Sequence, residues 1–359
     1  SEPGTAVDMR GMDRILSIGN NTVVVQAGAI FIDVAKELEK HNLQFYVHIE
    51  LGNISMGAAA CSQTKDASFT AEYGTFSSYA IGMKAVLPSG EVIVITEEQP
   101  ELLQAMRSCY GLLGIIFEVT FRVKPIRPMA FHHEHFTVDE LERQLPALVA
   151  RGDSMMYYLY PFQDRLTVEF RRYLDAGSPS HSFAWKVRNY CWATLVPALG
   201  KVIRTYVPAG NLRAGLFNIL ASSCRLILNF IRGDGCYPAD QVIRYPHPPG
   251  YARYTFSLWA FPEKDFVQNL RAYNAFCRDY YRDYGYRCDL VNVGYRMNQD
   301  QRALLSFTCD GSVLTIDPAC SGGDGWFEFL DACNEFCSAR GASLLYNQTP
   351  RLTPGQVQK

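Results

Sequence analysis

Several things are scarce or missing in these 359 residues. Charge of one sign is not in excess: 34 Lys and Arg stand against 36 Asp and Glu, so no long-range field draws the chain to nucleic acid. Eleven cysteines include no Cys-X-X-Cys pair. Cys333 and Cys337 would share a helical face, but no histidine lies near them in sequence to complete a zinc set, and reduced structural thiols are the better reading. Histidine is sparse, and the one cluster, His132, His133 and His135, alternates with Glu134 and Phe136 as a strand edge does. No Gly-X-Gly-X-X-Gly sits between a strand and a helix, which argues against a nicotinamide-dependent dehydrogenase. The opening SEPGTAVDMRG has no apolar signal core, so a reducing, cytoplasmic setting is the expectation. The apolar run 212–231 is as long as a membrane span, but Arg213 and Arg225 lie within it and argue against spanning.

Small residues are plentiful in one place. Gly52, Asn53, Ser55, Gly57, Ala58, Ala59, Ala60 and Ser62 leave a backbone that can approach a ligand closely and offer N–H groups to its oxygens. The same stretch also suits a tight helix–strand packing site. Around it, 22–27 reads as a strand, 31–41 as a helix with Ile30, Val34 and Leu38 in phase, and 43–47 as a strand. Residues 80–87 and 91–96 form a hairpin across Pro88-Ser89-Gly90, and 98–108 a helix. A second glycine-marked loop, Cys109-Tyr110-Gly111-Leu112-Leu113-Gly114, runs into an alternating strand over 115–123 that Pro125 closes. Residues 5–8 read as a further short strand.

Beyond Pro128 the pattern changes. Strands are expected over 131–137, 155–161, 165–173, 253–261, 288–295, 304–308, 313–317 and 343–346, and helices over 138–151, 265–284 and 325–340. Residues 176–182 read as a linker and 244–250 as a rigid connector. The order suggests an antiparallel sheet with helices on one side. Between them, 185–232 is apolar, helix-like and repeatedly basic. It suits helices covering a sheet face or a subunit interface, or a basic amphipathic surface lying on a membrane.

The pieces together resemble a known family. Asp8-Met9-Arg10-Gly11 through Ile15, Val25-Gln26-Ala27-Gly28, the small-residue loop, Tyr73-Gly74, Ile81-Gly82-Met83 and Tyr110-Gly111-Leu112-Leu113-Gly114-Ile115-Ile116 resemble, in order and spacing, the FAD-binding domain of the vanillyl-alcohol oxidase superfamily, the PCMH type. The remainder resembles the cap of sugar-lactone oxidases and decaprenylphosphoryl-ribose oxidase. The resemblance implies an α+β fold: an FAD-binding PCMH-type domain over 1–127, a cap over 128–346 built on an antiparallel sheet flanked by helices, with a helical insertion at 183–235, and a return towards the FAD domain over 347–359. It places the family's glycine-rich pyrophosphate loop before Ser1.

The resemblance further implies FAD as cofactor and a small sugar, sugar lactone or polyol as substrate, oxidised at a carbinol carbon. Gly52, Asn53, Ser55, Met56 and Gly57 would line the diphosphate and ribityl chain; Gly111, Gly114 and Ile116 the adenine half or diphosphate; Ser62, Thr64 and Lys65 the ring system. On the cap, Gln348 falls where the family usually has a lysine, Thr315 would project into the substrate cavity, and Tyr295 and Asn292 come from the adjacent strand. Lys65-Asp66 replaces a frequent His-Gly. Lys65, Tyr295, or a water held by Asn292 or Gln348 could take the substrate proton. The alternative of another class is a flavin-free binding or scaffold protein on the same fold, interacting through 185–232 with a membrane or a second copy.

Overall fold

The computed structural model describes residues 7–175, 183–230, 233–244 and 253–357. Its first sheet is organised on the eleven-residue strand Ile115–Pro125. Thr22–Gln26 pairs along one edge with Val23 opposite Phe121 and Val25 opposite Val119, and Ala80–Val86 pairs along the other, with Val92–Thr96 outside it; Leu43–Phe45 pairs with the end of the long strand, Phe45 opposite Val123. All of these pairings are antiparallel. Alternation puts Val119, Phe121 and Val123 inward, where the helix Phe31–Lys40 covers them with Phe31, Val34 and Leu38. Phe31, Phe45 and Phe76 meet ring to ring at 5.0–5.2 Å, with Phe76 4.7 Å from Phe121.

The second sheet has eight strands in the order Gly233–Cys236, Met129–Thr137, Arg165–Tyr173, Ser154–Tyr160, Asn292–Met297, Val313–Ile316, Trp259–Pro262, Ser343–Leu344. Ser154–Tyr160 shows why it is two-sided. Met155, Tyr157 and Leu159 face one core with the helices Val138–Ala150, Phe266–Tyr284 and Trp326–Ala339. Met156, Tyr158 and Tyr160 face another, with Trp185 of the helical insertion and Ala67 and Phe69 of the first half. A strand buried on both faces reads as a continuous apolar run, and SMMYYLY is one. The helix Val138–Ala150 begins on a capping box: Thr137 accepts from the Glu140 N–H, and Glu140 accepts in return from the Thr137 N–H. Such a cap contributes about 1 kcal/mol.

The α+β architecture matches expectation, but the helices are not confined to one side of the large sheet, since the insertion packs Trp185 and Leu228 on its other face. Four local readings also differ. Residues 304–308 form turns, because Leu304, Leu305 and Phe307 donate their N–H groups to Gln104, Ser108 and Gln63 across the halves. The strand expected over 253–261 splits: Thr255–Phe256 pairs with Ala319–Cys320, while Trp259–Pro262 joins the large sheet. The strand expected from 288 starts at Asn292, since the Asp289 carboxylate is turned aside to cap Ser321. Val7 and Asp8 are not in a strand, and residues 5–6, like the linker at 176–182 and the connector at 245–250, lie outside the described residues.

The insertion is a helical pair. Phe183–Tyr190 continues through a π-helical turn, Cys191–Leu195, into Val196–Tyr206, and the chain then returns as Asn211–Phe230. No helix among the described residues is long and apolar enough to cross a membrane. All eleven cysteines are unpaired thiols, and among the described residues no cluster of His, Cys, Asp or Glu could hold a metal ion.

Candidate active site

Where the two halves meet there is a cavity with about 590 Å³ of empty space, part of it open to solvent. Apolar walls come from Ile49, Trp192, Ile243, Phe256 and Val293; the polar lining is Glu50, Thr64, Lys65, Tyr295, Asp317 and Gln348. Each half supplies both kinds. Glu50, Thr64 and Lys65 arrive on the loops around the short helix Met56–Cys61. Tyr295 sits mid-strand, Asp317 just past Val313–Ile316, and Gln348 in the turn after the last strand.

Lys65 and Asp317, 252 positions apart, form a buried ion pair, Nζ to Oδ2 3.1 Å. The same ammonium lies 3.7 Å above the centre of the Tyr295 ring, a cation–π contact strengthened by the burial of both groups. The Tyr295 hydroxyl donates to Glu50 Oε2 at 3.2 Å. Glu50 Oε1 accepts from Arg188 at 2.5 Å and Arg171 at 3.3 Å. Arg171, fully buried, also holds Asp66 at 2.8 Å and Glu169 at 2.6 Å, and His133 approaches Glu169 at 3.0 Å. Four carboxylates therefore face three permanent cations, with His133 able to supply a fourth when protonated.

Isolated buried charges are costly and survive only when paired, and the titration behaviour follows that balance. Burial pushes Asp66 up to about 6 against the pull of Arg171, with Glu50 adding to the rise. Burial would also raise Glu169, but Arg171 and His133 hold it below the usual carboxylate range. Asp317 is raised by burial, with Lys65 opposing. The Tyr295 phenol is driven well above its ordinary value by burial and by Glu50 and Asp317. Tyr295 is thus a hydrogen-bond donor at neutral pH, which removes it as a proton acceptor. Two lining residues keep buried oxygens without partners: Asp317 Oδ1 and Gln348 Oε1.

Of the residues singled out from sequence, Thr64, Lys65, Tyr295 and Gln348 converge on this cavity. Thr315 does not project into it: its hydroxyl accepts from the Tyr295 N–H at 3.0 Å, and its carbonyl from the Tyr157 hydroxyl at 2.6 Å. Asn292 is tied behind the sheet to the Tyr273 hydroxyl at 2.7 Å. Ser62 donates to the Ala58 carbonyl at 2.7 Å and lies 3.2 Å from the Thr64 hydroxyl. Ser55 caps the short helix, accepting from Ala58 at 3.4 Å, and Asn53 is half-buried beside it. Ile116 is buried in the first sheet. Asp317, Glu50 and Arg171 escaped the sequence reading. A signal for Arg171 did exist: Glu169 and Arg171 occupy one face of a strand whose other face is Leu166, Val168 and Phe170, and charge mid-strand in a buried run needs partners.

The small-residue loop is more committed to protein contacts than its composition implies. The N–H groups of Gly52, Met56 and Gly57 donate to the carbonyls of Ile243 (2.6 Å), Ala29 (2.8 Å) and Ala27 (2.8 Å). A Cβ on Gly52 would stand 1.8 Å from the Val242 side chain, and one on Gly57 2.7 Å from that of Ala27. In this arrangement those three N–H groups do not face a ligand; close packing uses them. Space and unmet polar groups lie nearby instead. Gly111, at φ +81°, has nothing within 4 Å, whereas Gly114 abuts the Val86 carbonyl. Gln63 Nε2, Thr75 Oγ1, Ser77 Oγ and the Tyr110 hydroxyl are buried without partners. Orphaned donors and acceptors on either side of one loop are what a polar cofactor edge would satisfy, so the residues present fit a flavin dinucleotide.

Comparison with known proteins agrees. Residues 1–96 match the family model for an FAD binding domain, so FAD is the cofactor for this portion of the chain. An L-gulono-1,4-lactone dehydrogenase of Mycobacterium tuberculosis is 25% identical over 170 residues, covering 45% of this chain and 37% of the relative. An L-gulonolactone oxidase of Bos taurus is 22% identical over 189 residues, covering 51% of this chain and 41% of its own length. The chain thus spans about two fifths of the curated relatives it matches. A cholesterol oxidase from B. sterolicum superposes with a TM-score of 0.71 at 16% identity, over 94% of this chain and 72% of that one. The fold is that of PCMH-type FAD oxidases, and about half of the chain is similar in sequence to a gulonolactone dehydrogenase and a gulonolactone oxidase.

Proposed function

We propose that this protein is an FAD-dependent oxidoreductase that oxidises the CH–OH carbon of a sugar, sugar lactone or polyol. The observation that carries the reading is the Lys65–Asp317 pair, buried in a cavity between the halves with one carboxylate oxygen unmet. Bound FAD supplies the two-electron acceptor for the hydride leaving the carbinol carbon. The protein supplies the rest. Asp317 Oδ1 accepts the substrate's hydroxyl proton, and Lys65 holds that carboxylate in place and favours its ionised form. Tyr295, fixed through Glu50, positions the Lys65 ammonium, and the Gln348 amide offers a neutral hydrogen bond where an ammonium would bring charge. Ser62, Thr64 and the open turn at Gly111 are the cofactor contacts best supported by their surroundings, with Gln63 and Tyr110 joining them; Asn53, Ser55, Gly114 and Ile116 serve by placing that backbone.

The test is to titrate the full-length protein with FAD and then bleach the complex anaerobically with a panel of aldonolactones, sugars and polyols. Saturable binding followed by loss of flavin absorbance with one panel member is expected. Failure to take up FAD would overturn the proposal and leave the flavin-free binding reading. A flavin that no panel member reduces would overturn the substrate class.

A further inference from the structure

The helical insertion leaves an apolar surface that nothing among the described residues covers. From Phe183 to Phe230 the sequence contains no Asp or Glu, and it carries Lys186, Arg188, Lys201, Arg204, Arg213 and Arg225. Nearly half of the large apolar side chains left exposed among the described residues fall in this short segment. Their spacing is ordered. Val187, Tyr190, Leu195, Leu199, Val202 and Tyr206 are exposed at steps of three or four, except for the step of five from Tyr190 to Leu195. That step falls on the π-helical turn Cys191–Leu195, whose wider turn absorbs one extra residue and keeps the row on one side. The returning helix exposes Leu212, Ile219 and Leu226, seven apart, again one face.

We infer that this face docks on the surface of a membrane containing anionic lipid. Rows of exposed apolar side chains in a basic segment without acidic residues fit the chemistry of an interfacial helix. Neither helix can cross a bilayer, so the pair lies on the surface. Charge separates this occupant from a second copy of the chain: two such faces would bring basic residues together with no carboxylate from either segment between them, whereas anionic headgroups neutralise them. Not every cation is available for this. Arg188 is buried against Glu50, Arg204 pairs with Asp289, and Arg213 donates to the Val207 carbonyl. Lys186 is exposed and Arg225 half-exposed. Trp192, within the π-helical turn of the same run, lines the cavity, so the docking face and the candidate active site share one element.

The experiment is co-sedimentation of the full-length protein with vesicles of phosphatidylcholine alone or with added phosphatidylglycerol, beside size-exclusion chromatography without lipid. Binding is expected only to the anionic vesicles, weakening as salt rises. The Lys186→Ala, Arg225→Ala double variant should bind roughly thirtyfold more weakly, each basic residue near an anionic surface being worth about fivefold. Leu212→Glu with Ile219→Glu should abolish binding while leaving the circular dichroism spectrum unchanged. Equal binding to both vesicle types, no binding to either, or a lipid-free oligomer that the glutamate variants dissolve would overturn the inference. None of these outcomes bears on flavin binding.

Discussion

At the residue scale, the site turns on Asp317 and its partner Lys65. Asp317→Asn keeps the shape but cannot take a proton. The rate of flavin reduction by a reactive substrate should fall by roughly 10²–10⁴-fold, the usual worth of a positioned base, with FAD affinity unchanged. Stopped-flow reduction beside an FAD titration checks this; an undiminished rate would reassign the base. Burial raises Asp317 and Lys65 opposes that rise. Only the ionised form accepts a proton, so activity should decline as pH falls through the Asp317 pKa. Lys65→Met should move that decline to higher pH, visible as a displaced acid limb in the reduction-rate profile. Lys65, Tyr295 and Gln348 were legible in the sequence because a family pattern marks their positions. Asp317 was not: a lone acid at the end of an apolar strand has no local signal, and its partner lies 252 residues away.

Among the elements, helices and hairpins with a clear period were legible, and those set by tertiary contact were not. The alternation of 165–173 and 115–123 fixed both strands. The turns at 304–308 depend on side chains from elsewhere, Gln63 and Ser108, and the split of 253–261 on two separate pairing partners, Ala319–Cys320 and Val313–Ile316. One glycine shows how closely the central strand is packed. A Cβ on Gly294 would stand 2.1 Å from the Tyr157 ring and 2.3 Å from the Thr315 carbonyl. Gly294→Ala should therefore destabilise the protein by about 1–3 kcal/mol or more, the cost of overpacking, and shift Tyr295 beside it. Urea denaturation would register this; a variant as stable as the parent would mean the strand can move aside freely. The small-residue loop carries the converse lesson. Composition located a place where backbones approach closely, but whether the near surface is ligand or protein is decided by Val242, Ile243 and Ala27, which sequence spacing does not place there.

For the whole molecule, the junction between the halves is ionic at its centre. Glu169 is held below its unfolded value of 4.5 by Arg171 and His133, against the effect of burial. The sign follows: the unfolded chain binds this proton more readily, so the stabilisation is present above about pH 4.5 and is lost as pH falls further. Glu169→Gln should flatten that acid limb in urea midpoints measured between neutral and acidic pH, even though it lowers stability at pH 7. Arg171→Met should cost about 3–5 kcal/mol, because it strands buried carboxylates. The two-part layout was visible in the order of strands and helices, while the interlock was not, since its members come from segments that look ordinary alone. Glu50 and Asp66 belong to one side of the joint and Arg171 and Arg188 to the other. Replacing the second half by one without basic residues at the places of Arg171 and Arg188 would therefore entomb two acids with no counter-ions. A chimera built from this chain has to carry all four positions together, as a matched set.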